Sequence, residues 1–520
     1  MPCRTKLVIG LAFLLVFLHS PLQAEVPTNC VGGFPQFGTQ TMNVPLMKCS
    51  LNPPWYPSLA AFEHYDSDRS HLFPQATFGG NFSGHNTVAT LKANATYPSP
   101  WNMTYLDAHN AFLYGGGSGN DPSSIGAYVA KIDPKSLDPI WSTQLIDTTP
   151  TGEWNYPGAM AILDDGHLYA IYGHRLPKLD PSTGKVIATL VLPTGAGAPQ
   201  DTAFNGFNAT SDGTIVAKSF YRQAGCMVQG PNALTECPDP SDVPHSIVVT
   251  VDPRTMTVID QTILPAQVIG RVTVGQYNGH EYVYFFVVNT FMRYEAHAGR
   301  LTLDSSWNPG NLLVAGQTAG WAAAVINDWV VGQCNGLPAS APLSVFAVNQ
   351  GDAAKQFTLQ PFVGDPIPPL VKAAFLKQAP GGTQAVSWNA ATVSTDPDTN
   401  LIYVMDALPG KVAAVRISAS GLQTVWTADQ TTTEFIAVIG SRRQRVIVGS
   451  DIPGAEIPGI NSHDEVVWRN AGTGQEIARS PRLPAMTSGT MVQPYYSGDM
   501  FYPGLAGTLY KLEPAPTGSP

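Results

Sequence analysis

The chain has 520 residues, a formal net charge of −10 and only 13% charged residues, whereas 44% of its residues are hydrophobic. The negative balance argues against a nucleic-acid partner and against attachment to an anionic membrane surface. The apolar content excludes a disordered chain, and the 49 Gly and 45 Pro residues exclude long amphipathic helices. Few charges, many turn formers and ample apolar residues predict a large all-β protein with many short strands.

Residues 1–24 have the form of a secretory signal peptide. Arg4 and Lys6 precede an apolar run at residues 7–18, and Pro21 lies ahead of the small residue Ala24. Such a run is too short to span a bilayer of about 30 Å. We therefore expect export, a secreted or periplasmic location, and a mature protein without a membrane span.

The cysteines fit an oxidising compartment, in which close pairs form disulfides. Cys226 and Cys237 flank a loop rich in Gly, Pro and Asn, so we predict a bridge between them. We predict a second bridge between Cys30 and Cys49, near the N-terminus. Cys334 is left over and is expected to be reduced and buried, as a small hydrophobic residue.

One supersecondary unit recurs along the chain. Its clearest copy has strands at residues 156–163, 167–172, 175–180 and 185–192, joined by turns that contain Asp-Gly or Pro and Gly. An apolar strand that ends in Asp-Pro holds the same position in three copies, at Asp133, Asp180 and Asp252. These copies begin about fifty residues apart, which is within the range of propeller periods.

The repeats predict a single β-propeller of eight blades, seven complete and one composite, with seven blades as the alternative if one looser copy is misread. The last copy lacks a fourth strand, and residues 87–96 alternate between apolar and polar. We predict that this N-terminal strand pairs beside residues 508–512 and closes the ring. The propeller would span residues 76–515, with 25–75 as an arm outside the ring or over one mouth, and 516–520 as a disordered tail.

Two turns carry a family resemblance. Residues 179–186, Leu-Asp-Pro-Ser-Thr-Gly-Lys-Val, and the Asn-Ala-Gly-Thr-Gly-Gln turn within 468–477 resemble the Asp-x-x-Thr-Gly-Lys blade repeat of quinoprotein alcohol dehydrogenases. The resemblance implies an eight-bladed propeller, with pyrroloquinoline quinone and calcium in its funnel. The family's adjacent Cys-Cys pair is absent from this chain, and we find no counterpart of its calcium-ligand pattern. The resemblance therefore extends to the architecture and does not carry the cofactor with it.

An aromatic residue followed by Asn opens the first strand of four copies, and equivalent positions in a propeller converge on the axis. Amides, one carboxylate and one guanidinium beside aromatic rings would bind a small polar molecule or a cation, with Glu434 beside Arg271. The alternative is that Asn caps turns while the aromatic residues pack between blades. The predicted ligand-binding residues are Asn102, Asn155, Asn205, Arg271, Trp321, Asn389 and Glu434.

The leading hypothesis is a secreted, monomeric propeller that binds a small polar ligand or cofactor in its funnel. If it is an enzyme, a quinoprotein-like oxidoreductase is preferred over a metal-dependent hydrolase. Its catalytic residues and its cofactor are unassigned, and pyrroloquinoline quinone with calcium is one candidate for the cofactor. A metal-dependent hydrolase is disfavoured because acidic residues near the strand starts are few. The alternative is a non-enzymatic extracellular scaffold that binds a protein or glycan through its rim loops.

Overall fold

The computed structural model describes residues 54–116, 126–146, 153–227, 237, 243–315, 317–334, 342–369, 371, 392–432, 434–453, 462–487 and 489–518. Within these ranges the strands form eight sheets, which are the blades of one β-propeller. The predicted signal peptide, the predicted Cys30–Cys49 pair and Asn389 lie outside the described residues.

Strands β1 and β2 precede the first complete blade, and each of the first four blades is a four-stranded antiparallel sheet in chain order. These strands are β1 (Leu72–Phe73), β2 (Asn86–Lys92); blade 1, β3 (Pro100–Asp107), β4 (Asn110–Gly115), β5 (Tyr128–Ile132), β6 (Pro139–Gln144); blade 2, β7 (Pro157–Ile162), β8 (Leu168–Tyr172), β9 (Arg175–Leu179), β10 (Val186–Val191); blade 3, β11 (Thr202–Ala209), β12 (Ile215–Tyr221), β13 (Ile247–Asp252), β14 (Thr257–Ile263); and blade 4, β15 (Thr273–Tyr277), β16 (His280–Val287), β17 (Thr290–His297), β18 (Arg300–Leu303).

The next blades repeat this order, and blade 7 gains β1 as a parallel neighbour of its first strand and β31 beside its third. These strands are, in blade 5, β19 (Ala324–Ile326), β20 (Trp329–Gln333), β21 (Val345–Asn349), β22 (Gln356–Leu359); blade 6, β23 (Ser394–Asp396), β24 (Leu401–Asp406), β25 (Lys411–Ser418), β26 (Gly421–Asp429); blade 7, β27 (Ala437–Ile439), β28 (Val446–Asp451), β29 (His463–Asn470), β30 (Glu476–Arg479), β31 (Leu483–Pro484); and blade 8, β32 (Gln493–Pro494), β33 (Met500–Gly504), β34 (Thr508–Pro516). Short 3-10 turns occupy Pro199–Asp201 and Tyr496–Gly498.

The eighth blade is composite, as predicted. β2 pairs antiparallel with β34, placing Thr90 opposite Leu512, so a strand from near the N-terminus completes the last sheet and closes the ring. The prediction of eight blades closed by this strand is confirmed. β34 continues to Pro516, which pairs with Asn86. Residue 516, predicted to begin a disordered tail, therefore belongs to the last strand.

The local sequence explains the blade geometry. The predicted turn at residues 180–184 closes with Gly184 N donating to Asp180 O, at a glycine φ of 71° that favours glycine over other residues. First strands such as β7 and β11 are buried along their whole length, whereas outermost strands such as β10 alternate between exposed and half-buried residues. First strands of neighbouring blades contact one another around the ring, so they surround the axis.

Residues 54–76, here called the axial segment, lie among these first strands. Backbone N–H groups of six blades donate to its carbonyl oxygens at 2.8–3.0 Å, in blade order. Ser67 Oγ reaches blade 3 through Ala209 O at 2.8 Å, and Leu59 N donates to the Tyr496 hydroxyl of blade 8 at 3.3 Å. The accepting carbonyls are those of Ala60, Ala61, Ser67, Asp68, Ser70 and His71. This part of the arm therefore lies inside the ring, whereas the sequence predicted an arm outside it or over one mouth.

The described cysteines match the prediction. Cys226 and Cys237 form a disulfide between β12 and β13, and Cys334 is reduced and buried. A disulfide is typical of an extracellular or periplasmic protein. Across the ranges that the structure describes, no helix has the length and apolar character needed to cross a bilayer.

Candidate functional site on the propeller axis

The axial segment concentrates ionisable residues in a chain of which only 13% is charged. Four of them are no more than 2% exposed, and Arg271, which lies just before the first strand of blade 4, joins them at 5%. Burying ionisable groups is costly unless they bond to one another or to a ligand, which makes this the candidate site. We call the following five residues the axial cluster: Glu63, His64, Arg69, His71 and Arg271.

Glu63 lies where the axial segment meets blades 1 and 4. Its Oε1 accepts a hydrogen bond from Arg271 Nη1, and its Oε2 accepts one from Asn102 Nδ2 of β3. Oε1 also lies 2.8 Å from His64 Nε2. Burial raises the pKa of the Glu63 carboxyl, and the nearby charges of Arg271 and Arg69 oppose this rise only in part.

The two histidines continue this network toward blades 6 and 7. His64 Nδ1 lies 2.6 Å from His71 Nε2, and His71 Nδ1 lies 3.1 Å from Ser394 Oγ. Ser394 Oγ in turn donates to the carbonyl oxygen of Ile436 at 2.6 Å. Burial holds the pKa of both histidines well below the usual value, so both rings are neutral near pH 7.

Arg69 is the least satisfied member of the cluster. Its Nε donates to Val272 O at 2.6 Å, and its guanidinium carbon lies 5.6 Å from the centre of the Phe62 ring. Nη1 and Nη2 are buried and have no hydrogen-bond acceptor among the described residues. Burial and the charge of Arg271 lower the pKa of Arg69 to about 9, which leaves it charged at pH 7.

A second unsatisfied donor lies beside Gly206 of β11. Arg271 Nε is buried and has no acceptor within the described ranges. Gly206 has φ +137°, and a Cβ placed on it would lie 3.7 Å from Arg271 Cδ. A side chain there would therefore be strained and would fill the space next to the guanidinium.

Backbone strain is concentrated in the same segment. Tyr65, Arg69 and His71 have φ values of 72°, 57° and 55°, in the left-handed region that residues other than glycine seldom adopt. Each such conformation costs about 1–3 kcal/mol and tends to occur at functional sites. The strain supports a role for this segment beyond filling the ring.

The structure brings together some of the residues predicted from the sequence. Asn102 and Arg271 meet at Glu63, and the backbone N–H of Arg271 donates to Trp321 O. Asn205 precedes Gly206 and donates through Nδ2 to Ile269 O, while its Oδ1 is buried without a donor in the described part of the chain.

The other predicted residues are placed differently. Glu434, which was predicted beside Arg271, instead accepts hydrogen bonds at its Oε2 from Gly489 N and Thr490 N, at 2.5 and 3.0 Å. The next residue, Phe435, lies beside Arg271, with its ring centre 5.9 Å from the guanidinium carbon. Asn155 is fully buried in blade 2. Whether any of these side chains binds a ligand stays a prediction.

Four members of the axial cluster were missed from the sequence, namely Glu63, His64, Arg69 and His71. They lie in the stretch assigned to the arm, which has no counterpart in the repeats. The available signal was their density, because residues 62–72 also contain Asp66 and Asp68.

The axial residues do not fit the calcium ion that the resemblance implies beside the quinone. Calcium requires six to eight oxygen ligands, whereas the axial cluster supplies one carboxyl group among histidines and arginines, and that carboxyl already bonds Arg271 and Asn102. In the described ranges, no three His, Cys, Asp or Glu side chains are grouped so as to hold a metal ion. We therefore derive no step through this cofactor.

Comparison with solved structures places the fold. A quinohemoprotein alcohol dehydrogenase from Comamonas testosteroni superposes with a TM-score of 0.54 at 11% identity, covering 90% of this chain and 81% of its own. A europium-containing methanol dehydrogenase gives a TM-score of 0.53 at 8% identity, covering 88% of this chain and 90% of its own. Quinohemoprotein alcohol dehydrogenase ADHIIG from Pseudomonas putida HK5 gives a TM-score of 0.50 at 12% identity, covering 90% of this chain and 81% of its own. No family model and no curated sequence matches the chain. The chain therefore shares the propeller fold of quinoprotein dehydrogenases at low identity.

Proposed function

We propose that this chain is an exported β-propeller that binds a small anionic ligand, such as a carboxylate, at the axial cluster. The observation that carries the proposal is Arg69, whose guanidinium is fully buried while Nη1 and Nη2 lack an acceptor among the described residues. A carboxylate accepts two parallel hydrogen bonds from such a guanidinium.

The charge balance of the site supports an anion. Arg69 and Arg271 are both cationic, whereas burial favours the neutral form of Glu63 by raising the pKa of its carboxyl. Asp66 is the other acid near Arg69, and its carboxylate already accepts hydrogen bonds from Ser70 N and Oγ at 2.8 and 2.5 Å. An anion would supply both the missing acceptor and a missing negative charge.

Quinoprotein-like oxidoreductase activity stays a prediction that rests on the shared fold. Adding pyrroloquinoline quinone and calcium, then recording the absorbance and dye-linked alcohol oxidation, tests it directly. Activity in this assay would favour the oxidoreductase. The scaffold hypothesis, with a protein or glycan at the rim loops, stays a prediction as well, and export rests on residues 1–24.

The anion site predicts a saturable stabilisation by small carboxylates. Formate, acetate and oxalate should raise the melting temperature at constant ionic strength, and at a hundredfold excess over Kd the gain is about 2.7 kcal/mol. Arg69→Met should abolish this response, and Arg69→Lys, which keeps the charge, should weaken it.

The matched control is Arg293→Met. Arg293 is also buried, but its guanidinium bonds Asp304 and the Gln350 carbonyl. This variant should retain the response to acetate, whatever stability it loses. An equal response in the Arg69→Met protein, or none in the wild type, would contradict the proposal.

A further inference from the structure

We infer that the ligand of the axial cluster is a hydroxy acid, whose hydroxyl group lies between Asn205 of blade 3 and Arg271 at the entry to blade 4. The inference rests on the proposed anion site at Arg69 and names the class of ligand that this site takes. It is carried by a buried donor and a buried acceptor that both lack a partner among the described residues, beside a gap at Gly206.

A bulge in the first strand of blade 3 forms one wall of the gap. In β11, Asn205 and Gly206 together lie opposite the single residue Lys218 of β12. The bulge faces the segment that leads into blade 4, because Asn205 Nδ2 donates to Ile269 O and Lys218 Nζ donates to Val268 O. Both strands are therefore fixed against this segment, on either side of the gap.

Gly206 leaves room for a small group beside Arg271. The atoms nearest to a Cβ built on Gly206 would be Arg271 Cδ at 3.7 Å, then Arg271 Nε and Ala159 Cβ at 3.9 Å. These are ordinary van der Waals separations, so a small group fits there without displacing a neighbour. The glycine therefore keeps open the space next to Arg271 Nε.

The two polar atoms at this gap need a partner that both accepts and donates a hydrogen bond. Arg271 Nε can only donate. The amide of Asn205 must point Nδ2 at Ile269 O, because a carbonyl oxygen can only accept, and this leaves Oδ1 as the acceptor. Arg271 is 5% exposed and Asn205 is 1% exposed, so water outside the protein does not satisfy these atoms. A hydroxyl group accepts from Nε and donates to Oδ1, and it satisfies both.

The charge at the gap favours a hydroxyl group over an ammonium group. An ammonium group donates to Asn205 Oδ1, but it cannot accept a hydrogen bond from Arg271 Nε. It would also lie beside the positive charge of the Arg271 guanidinium, which repels it. The gap therefore selects a hydroxy acid over an amino acid.

The gap and the anion site are close enough to hold one small molecule. Arg69 Nε donates at 2.6 Å to Val272 O, the carbonyl of the residue that follows Arg271. The charges of Arg69 and Arg271 both act on the Glu63 carboxyl. A carboxylate on Arg69 and a hydroxyl group beside Arg271 Nε can therefore belong to the same short chain.

The experiment is calorimetric titration with matched acids of three lengths, because the spacing between Arg69 and the gap sets the length that fits. Glycolate, 3-hydroxypropionate and 4-hydroxybutyrate are compared with acetate, propionate and butyrate, and with glycine, β-alanine and γ-aminobutyrate, at constant pH and ionic strength. At the length that fits, the hydroxy acid should bind the wild type about 10–100-fold more tightly than the plain acid, through two added hydrogen bonds. The amino acid should bind more weakly than the plain acid.

Asn205→Leu removes the acceptor at similar side-chain volume, so the advantage of the hydroxy acid should fall to about threefold or less. Asn208→Leu is the matched control. Asn208 is also buried in β11, but its Nδ2 donates to Ser67 O and Val272 O. Its Oδ1 accepts from Ala209 N, so this amide has no unused acceptor. The control should keep the wild-type ratio of the two affinities, whatever stability it loses.

Equal affinities for hydroxy and plain acids at all three lengths would overturn the inference and leave the anion site standing. A ratio that Asn205→Leu leaves unchanged would do the same, as would amino acids that bind more tightly than plain acids. Failure of every acid to bind would overturn both proposals. The wild-type series decides the matter even if Asn205→Leu does not fold.

Discussion

Buried arginines of this propeller differ in how fully their hydrogen-bonding capacity is used. Arg293 is bonded to Asp304 and to the Gln350 carbonyl, and its guanidinium carbon lies 4.2 Å from the centre of the Tyr282 ring. Arg69 is buried more deeply and donates to a carbonyl oxygen from Nε alone. Leaving a buried charged donor unbonded costs more than about 1–3 kcal/mol. Burial is therefore common to both arginines, and the missing acceptor is what points to a ligand at Arg69.

A residue-scale prediction concerns Asp499, half-buried in blade 8 with Lys511 Nζ 3.8 Å away. Burial raises the pKa of its carboxyl from 3.8 to about 6. The native state therefore keeps a proton that the unfolded chain releases, so stability falls as pH rises through this window and stays lower above it. Asp499→Asn should raise the free energy of unfolding by about 1–2 kcal/mol at pH 8 and leave it unchanged below about pH 4.

Urea unfolding at the two pH values measures this difference, and Asp328→Asn, at an exposed turn of blade 5, serves as the control. An equal gain at both pH values would show that charge on Asp499 is not the cause.

At the scale of elements, blades and axial segment differ in how far the sequence predicts them. Blades are predicted by local signals, such as the turn at residues 180–184. These signals recur in several copies, so a clear copy supports the assignment of a looser one. The axial segment has no repeat, and its polar composition is typical of a surface arm. Its polar and ionisable groups can be buried because they bond to one another and to residues distant in the chain, as His71 does with Ser394. Such pairing is invisible to patterns that assign burial from apolar periodicity. The same limit applies to the candidate site. Equivalent repeat positions at the strand starts predicted Asn102 and Arg271, whereas Glu63, which bonds both, lies outside the repeats and was not predicted.

The axial segment should act as a structural centre of the ring, and Phe62 tests this. Its ring is fully buried and stacks on Trp55 with centroids 4.3 Å apart. Phe62→Ala should lower the free energy of unfolding by about 3–5 kcal/mol, because a large buried side chain is removed and the segment bonds to all eight blades.

Phe357→Ala, on the outer strand β22, where the side chain is half-buried, should cost less. Urea unfolding followed by both tryptophan fluorescence and far-UV circular dichroism measures the loss and its cooperativity. Equal losses in the two variants would contradict a central role for the segment.

At the scale of the whole molecule, one stretch near the N-terminus serves two purposes. Residues 54–76 bond to every blade at the axis, and β2 follows almost directly and completes the last sheet from outside. The quinoprotein dehydrogenases share this ring at 8–12% identity. The fold thus survives wide changes in sequence, whereas the chemistry of the axis depends on the few residues that line it. Closure of the ring was predictable, because the last repeat lacks a fourth strand and a segment of alternating apolar and polar residues precedes the first complete blade.

The closing strand gives the final prediction, through Ala89→Pro in β2. Ala93 N donates to Leu509 O, and alternate residues of an antiparallel strand bond on the same side, so the Ala89 N–H also faces β34. Proline removes this bond. β2 has no hairpin to hold it against β34, so its release leaves β34 as an uncovered edge, which favours association between copies.

Ala428→Pro in β26 is the matched control, because Gln430 N bonds Gly410 O and the Ala428 N–H likewise faces its neighbour. There the hairpin between β25 and β26 keeps the strand tethered. Ala89→Pro should therefore lose at least about 1 kcal/mol more in urea unfolding than the control, since re-forming the contact requires closing a long loop. It should also form oligomers that grow with concentration in size-exclusion chromatography, while the wild type and Ala428→Pro stay monomeric. Equal stability and a monomeric Ala89→Pro protein would mean that the ring is held at its axis alone.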